Sequence, residues 1–190
     1  MRFEHYISMI IIIVISAAML SGCATTGVGA TSSSPPQALI GDWLLDAEQA
    51  ASDGNMTLLA QLVRKLENEG VQPQDGMDDP MPRWRKMAAA ELAAMPPYRG
   101  RALGPAYRRG TLAAGQKLTV NQTFLAGQNA SVSLSSTNSD KVLLTISDKD
   151  QKRKCEAARK CRWMPLFTQR YEISLINRGG KSANYYLVVN

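Results

Sequence analysis

The sequence predicts an α+β protein: a short amino-terminal helical region followed by an antiparallel β-sandwich. Three observations carry this. From residue 38 to 97 apolar residues recur at helical spacing, and from 98 to 190 the period changes to strand-like alternation without intervening helices. The charge changes at nearly the same place. Residues 41–82 hold nine Asp/Glu and two Lys/Arg, a balance of −7, whereas 83–190 hold nineteen Lys/Arg and six Asp/Glu, a balance of +13. Such asymmetry predicts parts that differ in structure and in partners.

The first segment, 1–22, reads as a lipoprotein signal peptide. Arg2 and the free amino terminus precede an apolar run, Ile7–Leu20, that falls short of the ~20 residues of a spanning helix. Leu20-Ser21-Gly22-Cys23 then fits a bacterial lipobox. Small residues admit an extended backbone to the peptidase, and the Cys23 thiolate is the nucleophile that accepts the diacylglycerol. The alternative is an uncleaved anchor helix with an incidental cysteine. Residues 23–37, "CATTGVGATSSSPPQ", are small, polar and Pro-containing, as expected of a flexible tether. Ala24, where an Asp would signal inner-membrane retention, favours the outer membrane facing the periplasm, with the inner membrane as the alternative.

Residues 38–97 form the helical region. Ile40, Trp43, Leu44 and Ala47 define one stripe, "SDGN" breaks it, and Leu58, Leu59, Leu62, Val63 and Leu66 define a second that ends at Gly70. A loop is expected over 72–82. Asp79-Pro80 then starts a third helix, carrying Trp84, Met87, Ala88 and Leu92 and stopped by Pro96-Pro97. Asp75, Asp78 and Asp79 lack the ligand pattern of a calcium loop and read as solvated carboxylates.

Five runs in the second half alternate or are rich in β-branched and aromatic residues: "KLTVNQTFLAG", "NASVSLSS", "KVLLTIS", "RYEISLIN" and "NYYLVVN". Turn chemistry separates them. The stretch from Cys161 through Trp163, Pro165, Tyr171 and Asn177 to Tyr186 resembles the end of the bacterial pre-peptidase C-terminal (PPC) domain, with its "C-x-W-x-P" turn and closing "N-x-Y-x-L" strand. Residues 104–134 are similar to that domain's opening hairpin and "F-x-A-G" turn. The resemblance implies a secreted β-sandwich over 98–190. Its acidic middle-strand run, linked to calcium in some relatives, is reduced here to Asp140 beside Lys141, so no calcium site is carried over.

Function is less legible. The only histidine, His5, lies in the signal peptide, so a mature chain has no Ser-His-Asp or Cys-His arrangement and no histidine zinc ligand. No catalytic residue, metal or cofactor is assigned. With Cys23 lipidated, Cys155 and Cys161 remain as a pair in an oxidising compartment, expected as a disulfide, with buried free thiols the alternative. Around them Lys152, Arg153, Lys154, Arg159, Lys160 and Arg162 form a basic hairpin, the candidate contact for an anionic envelope component or a protein partner. A merely solvated charged loop is the bland alternative. The reading is a non-enzymatic outer-membrane lipoprotein whose membrane contact is the lipid at Cys23. Nucleic acid is excluded as a partner by compartment. The alternatives are an accessory structural subunit of a secretion or envelope-assembly complex, docked by its helices, and a carbohydrate-processing enzyme, which needs paired acids in a cleft.

Overall fold

A computed structural model describes residues 37–96 and 104–190. Four helices open the described chain: α1 (Gln37–Asp53), α2 (Met56–Asn68), α3 (Met81–Met87) and α4 (Ala89–Ala93). A two-residue strand, β1 (Gln72–Pro73), lies between α2 and α3. Eight strands follow: β2 (Ala106–Leu112), β3 (Lys117–Phe124), β4 (Ala130–Ser136), β5 (Val142–Ser147), β6 (Arg153–Ala158), β7 (Lys160–Trp163), β8 (Gln169–Asn177) and β9 (Ala183–Val189). They form two sheets, ordered β1-β2-β9-β4-β7 and β3-β8-β5-β6, here called A and B. All pairings are antiparallel except β1 with β2.

The sandwich interior follows from period-two alternation. Val132 and Leu134 of β4, Tyr185, Leu187 and Val189 of β9, and Tyr171, Ile173 and Leu175 of β8 meet in one apolar cluster. Asn138, Asn177 and Gly179 sit at the turns that close it. The other face of sheet A is covered as well. Tyr107, Tyr186 and Val188 join Ile40, Leu44, Leu59, Leu66 and Trp84 in a second cluster, so the helical stripes are spent on the outer surface of sheet A.

The sequence reads "SVSLSS" as an alternating strand with a polar outer face, yet Ser131, Ser133 and Ser135 are buried. They lie on the face that α1 covers, and small side chains let a helix come close. A Cβ on Gly41 would sit 2.5 Å from the Ser135 Oγ, so glycine and serine set the approach of α1.

Three expectations are corrected. The loop over 72–82 contains β1, which adds a short parallel edge because Gln72 N–H donates to Pro105 O and Gln74 N–H to Tyr107 O. The third helix is two short ones, divided at Ala88, whose φ of −99° and ψ of 23° leave the helical region. The opening hairpin is no hairpin. β2 pairs with β9 in sheet A and β3 with β8 in sheet B, so the chain arches from one sheet to the other.

Two of the three aspartates expected to be solvated, Asp78 and Asp79, have partners. Asp79 accepts from Met81 N–H at 2.9 Å, at the start of α3, and from the Tyr107 hydroxyl at 2.8 Å. Asp78 and Glu48 both hold Arg109, at 3.2 and 2.7 Å, and Tyr186 donates to Glu48. Burial, reinforced by Asp79, pushes the Tyr107 phenol far above its ordinary value. Burial and then the Glu48 charge do the same for Tyr186. Part of the charge asymmetry is therefore internal: the acidic helical region is seated on Arg109 of the basic sandwich.

Candidate functional site

The basic segment is built as an arch. β6 is the edge of sheet B, paired with β5, and β7 is the edge of sheet A, paired with β4. The expected hairpin is thus corrected: β6 and β7 belong to different sheets, and Arg159 stands where the chain crosses. Cys155 and Cys161 are bonded across this crossing, with 5.9 Å between Cα atoms. Cys161 lies in the sandwich interior beside Val132, so the bond ties the two sheets together along one side. Closing so short a loop stabilises by about 2 kcal/mol.

The six cations divide by role. Lys154 Nζ lies 3.0 Å from Asp148 Oδ2, and Arg153 pairs with Glu156. Asp148 is buried in the 148–152 turn and also accepts from the backbone N–H of Asp150 and of Lys152. Burial alone pushes its carboxyl up. The Lys154 ammonium and the two amide donors outweigh that and hold it below the usual carboxylate range. The carboxylate form therefore orders the turn above the ordinary Asp pKa, and that contribution is lost as pH falls through the depressed value. Lys152, Arg159, Lys160 and Arg162 form no ion pair among the described residues. Lys160 and Arg162 stand opposite Ser133 and Ser131, on the outer face of sheet A, while Lys152 belongs to the sheet B side. Cys23 lies outside the described residues.

Sequence reasoning passed over the end of the sandwich next to the arch. After Trp163, the loop "MPLFT" leaves Leu166 83% and Phe167 72% exposed, with Met164 at 57%, and Leu125 of the neighbouring turn at 52%. The two connections are tied together: Gly127 N–H donates to Pro165 O at 2.9 Å and Ala126 N–H to the Thr168 hydroxyl at 3.0 Å. Gly127, at φ 71°, permits the turn. Beneath them Phe124, Trp163 and Tyr171 pack edge-on or tilted, with ring centroids 4.8 to 5.7 Å apart. The signal in the sequence was "RWMPLF", four apolar residues and a proline directly after a cation, in a run that fits no strand.

No group of three or more His, Cys, Asp or Glu placed to hold a metal occurs among the described residues. No helix among them is long and apolar enough to cross a membrane. A groove bordered by Glu48, Gln49, Arg83, Thr137 and Asn184 lies where the end of α1 meets sheet A. Among the described residues that border it the one carboxylate is Glu48, which is held by Arg109 and Tyr186.

The chain matches no protein-family model and no curated protein. Solved structures of similar architecture exist at low identity. The pre-peptidase C-terminal domain of collagenase from Bacillus anthracis is 11% identical, with TM-score 0.38, over 45% of this chain and 89% of that one. Aeromonas hydrophila PliG, a periplasmic inhibitor of g-type lysozyme, is 14% identical, with TM-score 0.36, over 45% and 84%. The Yersinia pseudotuberculosis-derived mitogen is 17% identical, with TM-score 0.35, over 46% and 85%. Similarities this low bear on no ligand, activity or compartment of the present chain.

Proposed function

We propose that the chain is a non-enzymatic protein of the bacterial envelope, held to a membrane by lipid at Cys23, whose sandwich binds an anionic envelope component or an acidic partner protein. The observation that carries this reading is the stapled arch. A bond between sheets fixes Cys155 and Cys161, two cations are consumed by Glu156 and Asp148, and four more are left without an ion pair among the described residues. Rigid placement lowers the entropy lost on binding, and Lys/Arg groups match phosphate and carboxylate. The disulfide also supports an oxidising compartment, in keeping with the lipobox. The docking reading loses ground, because the apolar stripes of α1 and α2 are buried against sheet A.

The test reverses Lys152, Arg159, Lys160 and Arg162 to Glu and leaves Arg153 and Lys154 in their pairs. Association of the full chain with purified sacculi and with phosphatidylglycerol vesicles should weaken about tenfold or more at low salt, since each surface cation contributes about 1 kcal/mol. The difference should shrink at physiological ionic strength, where the screening length is ~8 Å. An unchanged melting temperature confirms that the fold is intact. Equal binding of both proteins at low salt rejects the arch as the binding surface.

A further inference from the structure

The direction of the strands places several features at one end of the sandwich. β3, β5, β7 and β9 run towards this end and β4, β6 and β8 away from it, so the 125–129 turn, the 148–152 turn, the 164–168 loop and Asn190 all lie there. α1 starts there too. Its Gly41 faces Val188 and Ser135, Glu48 bonds Tyr186, and Ser52 lies beside Asn184, so the helix runs antiparallel to β9 and away from the loops. The described chain therefore enters at Gln37 on the end that carries Leu125, Met164, Leu166 and Phe167.

An exposed Phe and Leu at a loop tip resist water, and nothing among the described residues covers them. Exposed Arg162 and Arg170 flank the loop on its two strands. Apolar tips backed by cations match the layering of a bilayer surface, where acyl chains lie beneath anionic headgroups. The tether supplies proximity. On the reading of Cys23 as the acylated residue, thirteen residues (24–36) separate it from Gln37, and a flexible coil of that length spans ~20 Å on average.

We propose that the 125–129 turn and the 164–168 loop form a membrane wedge. Leu125, Met164, Leu166 and Phe167 enter the interface of the leaflet that holds the chain's own lipid, and Arg162 and Arg170 meet its headgroup phosphates. The backbone bonds between the two connections and the aromatic packing of Phe124, Trp163 and Tyr171 hold the wedge rigid, so little ordering entropy opposes insertion. Anchor and wedge together set the sandwich end-on to the membrane, with the opposite turns at 113–116, 137–141 and 178–182 directed away.

This inference rests on the lipid-anchor reading, and the experiment separates the two. The full chain carrying Phe167→Trp is mixed with vesicles of equimolar phosphatidylethanolamine and phosphatidylglycerol, with or without bromine on the acyl chains. Gly180→Trp, at the opposite end, is the control, and wild type corrects for the native tryptophans. A tryptophan seated ~5–10 Å into the interface should lose about half of its emission to brominated chains. Gly180→Trp should lose none, and Arg162→Glu with Arg170→Glu should reduce the quenching at low salt. Acyl labelling of Cys23 is read on the same preparation. A labelled chain with unquenched Phe167→Trp overturns the wedge and keeps the anchor. An unlabelled chain with quenched Phe167→Trp does the reverse. Absence of both overturns both, and photo-crosslinking of position 167 to a protein in place of lipid assigns the loop to a protein partner and overturns the wedge.

Discussion

Asn177→Asp should destabilise the protein by about 3–5 kcal/mol at neutral pH, because it places a charge among acceptors in the dry interior. The wild-type side chain is fully buried at the end of β8. Its Nδ2 group donates to Leu112 O, Ala113 O and Lys181 O at 3.1, 3.2 and 2.8 Å, and its Oδ1 accepts from Gly179 N–H. The backbone bonds Gln116 O and Gly115 N–H as well. One residue thus joins the arch between β2 and β3 to the turn between β8 and β9. A carboxylate retains the acceptor and loses the donors, so three carbonyls face an anion. The pH dependence tests the cause. Burial among carbonyls raises the folded pKa of the new carboxyl above the unfolded one, so the penalty is complete above the folded pKa and should shrink as pH falls through it towards the unfolded value. Urea denaturation at neutral and mildly acidic pH measures both. A penalty below about 1 kcal/mol, or one that does not fall in acid, would contradict this account of Asn177.

Asn177 shows what was legible. It belongs to the stretch whose PPC resemblance came from Trp163, Pro165, Tyr171, Asn177 and Tyr186, read as core and turn residues. Tyr171 is in the sandwich interior, Pro165 anchors the 125–129 turn, and Asn177 closes the opposite end. Tyr186 is also core, but of the other layer, between sheet A and the helices. Local period and turn chemistry identify such positions because each is decided within a few residues. The α+β architecture was legible for the same reason.

Partnership between distant segments was not. The serines of β4 alternate as they would on a solvated face, and it is α1, some ninety residues earlier, with Gly41 against Ser135, that packs on this strand. β9 did carry a cue: Tyr185 to Val189 is an unbroken apolar run, as in strands covered on both faces. The basic segment was legible as charge but not as geometry. Asp148 stands outside the run of cations in the sequence, and only the fold brings it to Lys154. The exposed loop was overlooked for a simpler reason. Leu166 and Phe167 resemble core residues by type, and only the tertiary structure shows them outside.

Gly104→Ala should be nearly as damaging, by about 3 kcal/mol, through overpacking against backbone. A Cβ at this position would lie 1.9 Å from Glu69 O and 2.7 Å from the carbonyl carbon and oxygen of Gly70. None of these can rotate away, since Gly70 follows α2 at φ 63° and leads through Val71 into β1. Relief requires the end of α2 to lift from the start of β2. That movement strains the bonds from Gln72 N–H to Pro105 O and from Gln74 N–H to Tyr107 O, which hold β1 on the sheet. It also loosens Tyr107 beneath Asp79. At about 2–4 °C per kcal/mol for a chain of this size, the melting temperature should fall by roughly 6–12 °C. Gly180→Ala is the control, because its Cβ would meet no atom within 4 Å, and it should melt as wild type does. Hydrogen exchange locates the damage: amides of β1 and of the carboxy-terminal turn of α2 should lose protection first, while those of β5 and β8 keep theirs. A melting temperature within a degree or two of wild type would mean that α2 and β2 are not held in this close contact.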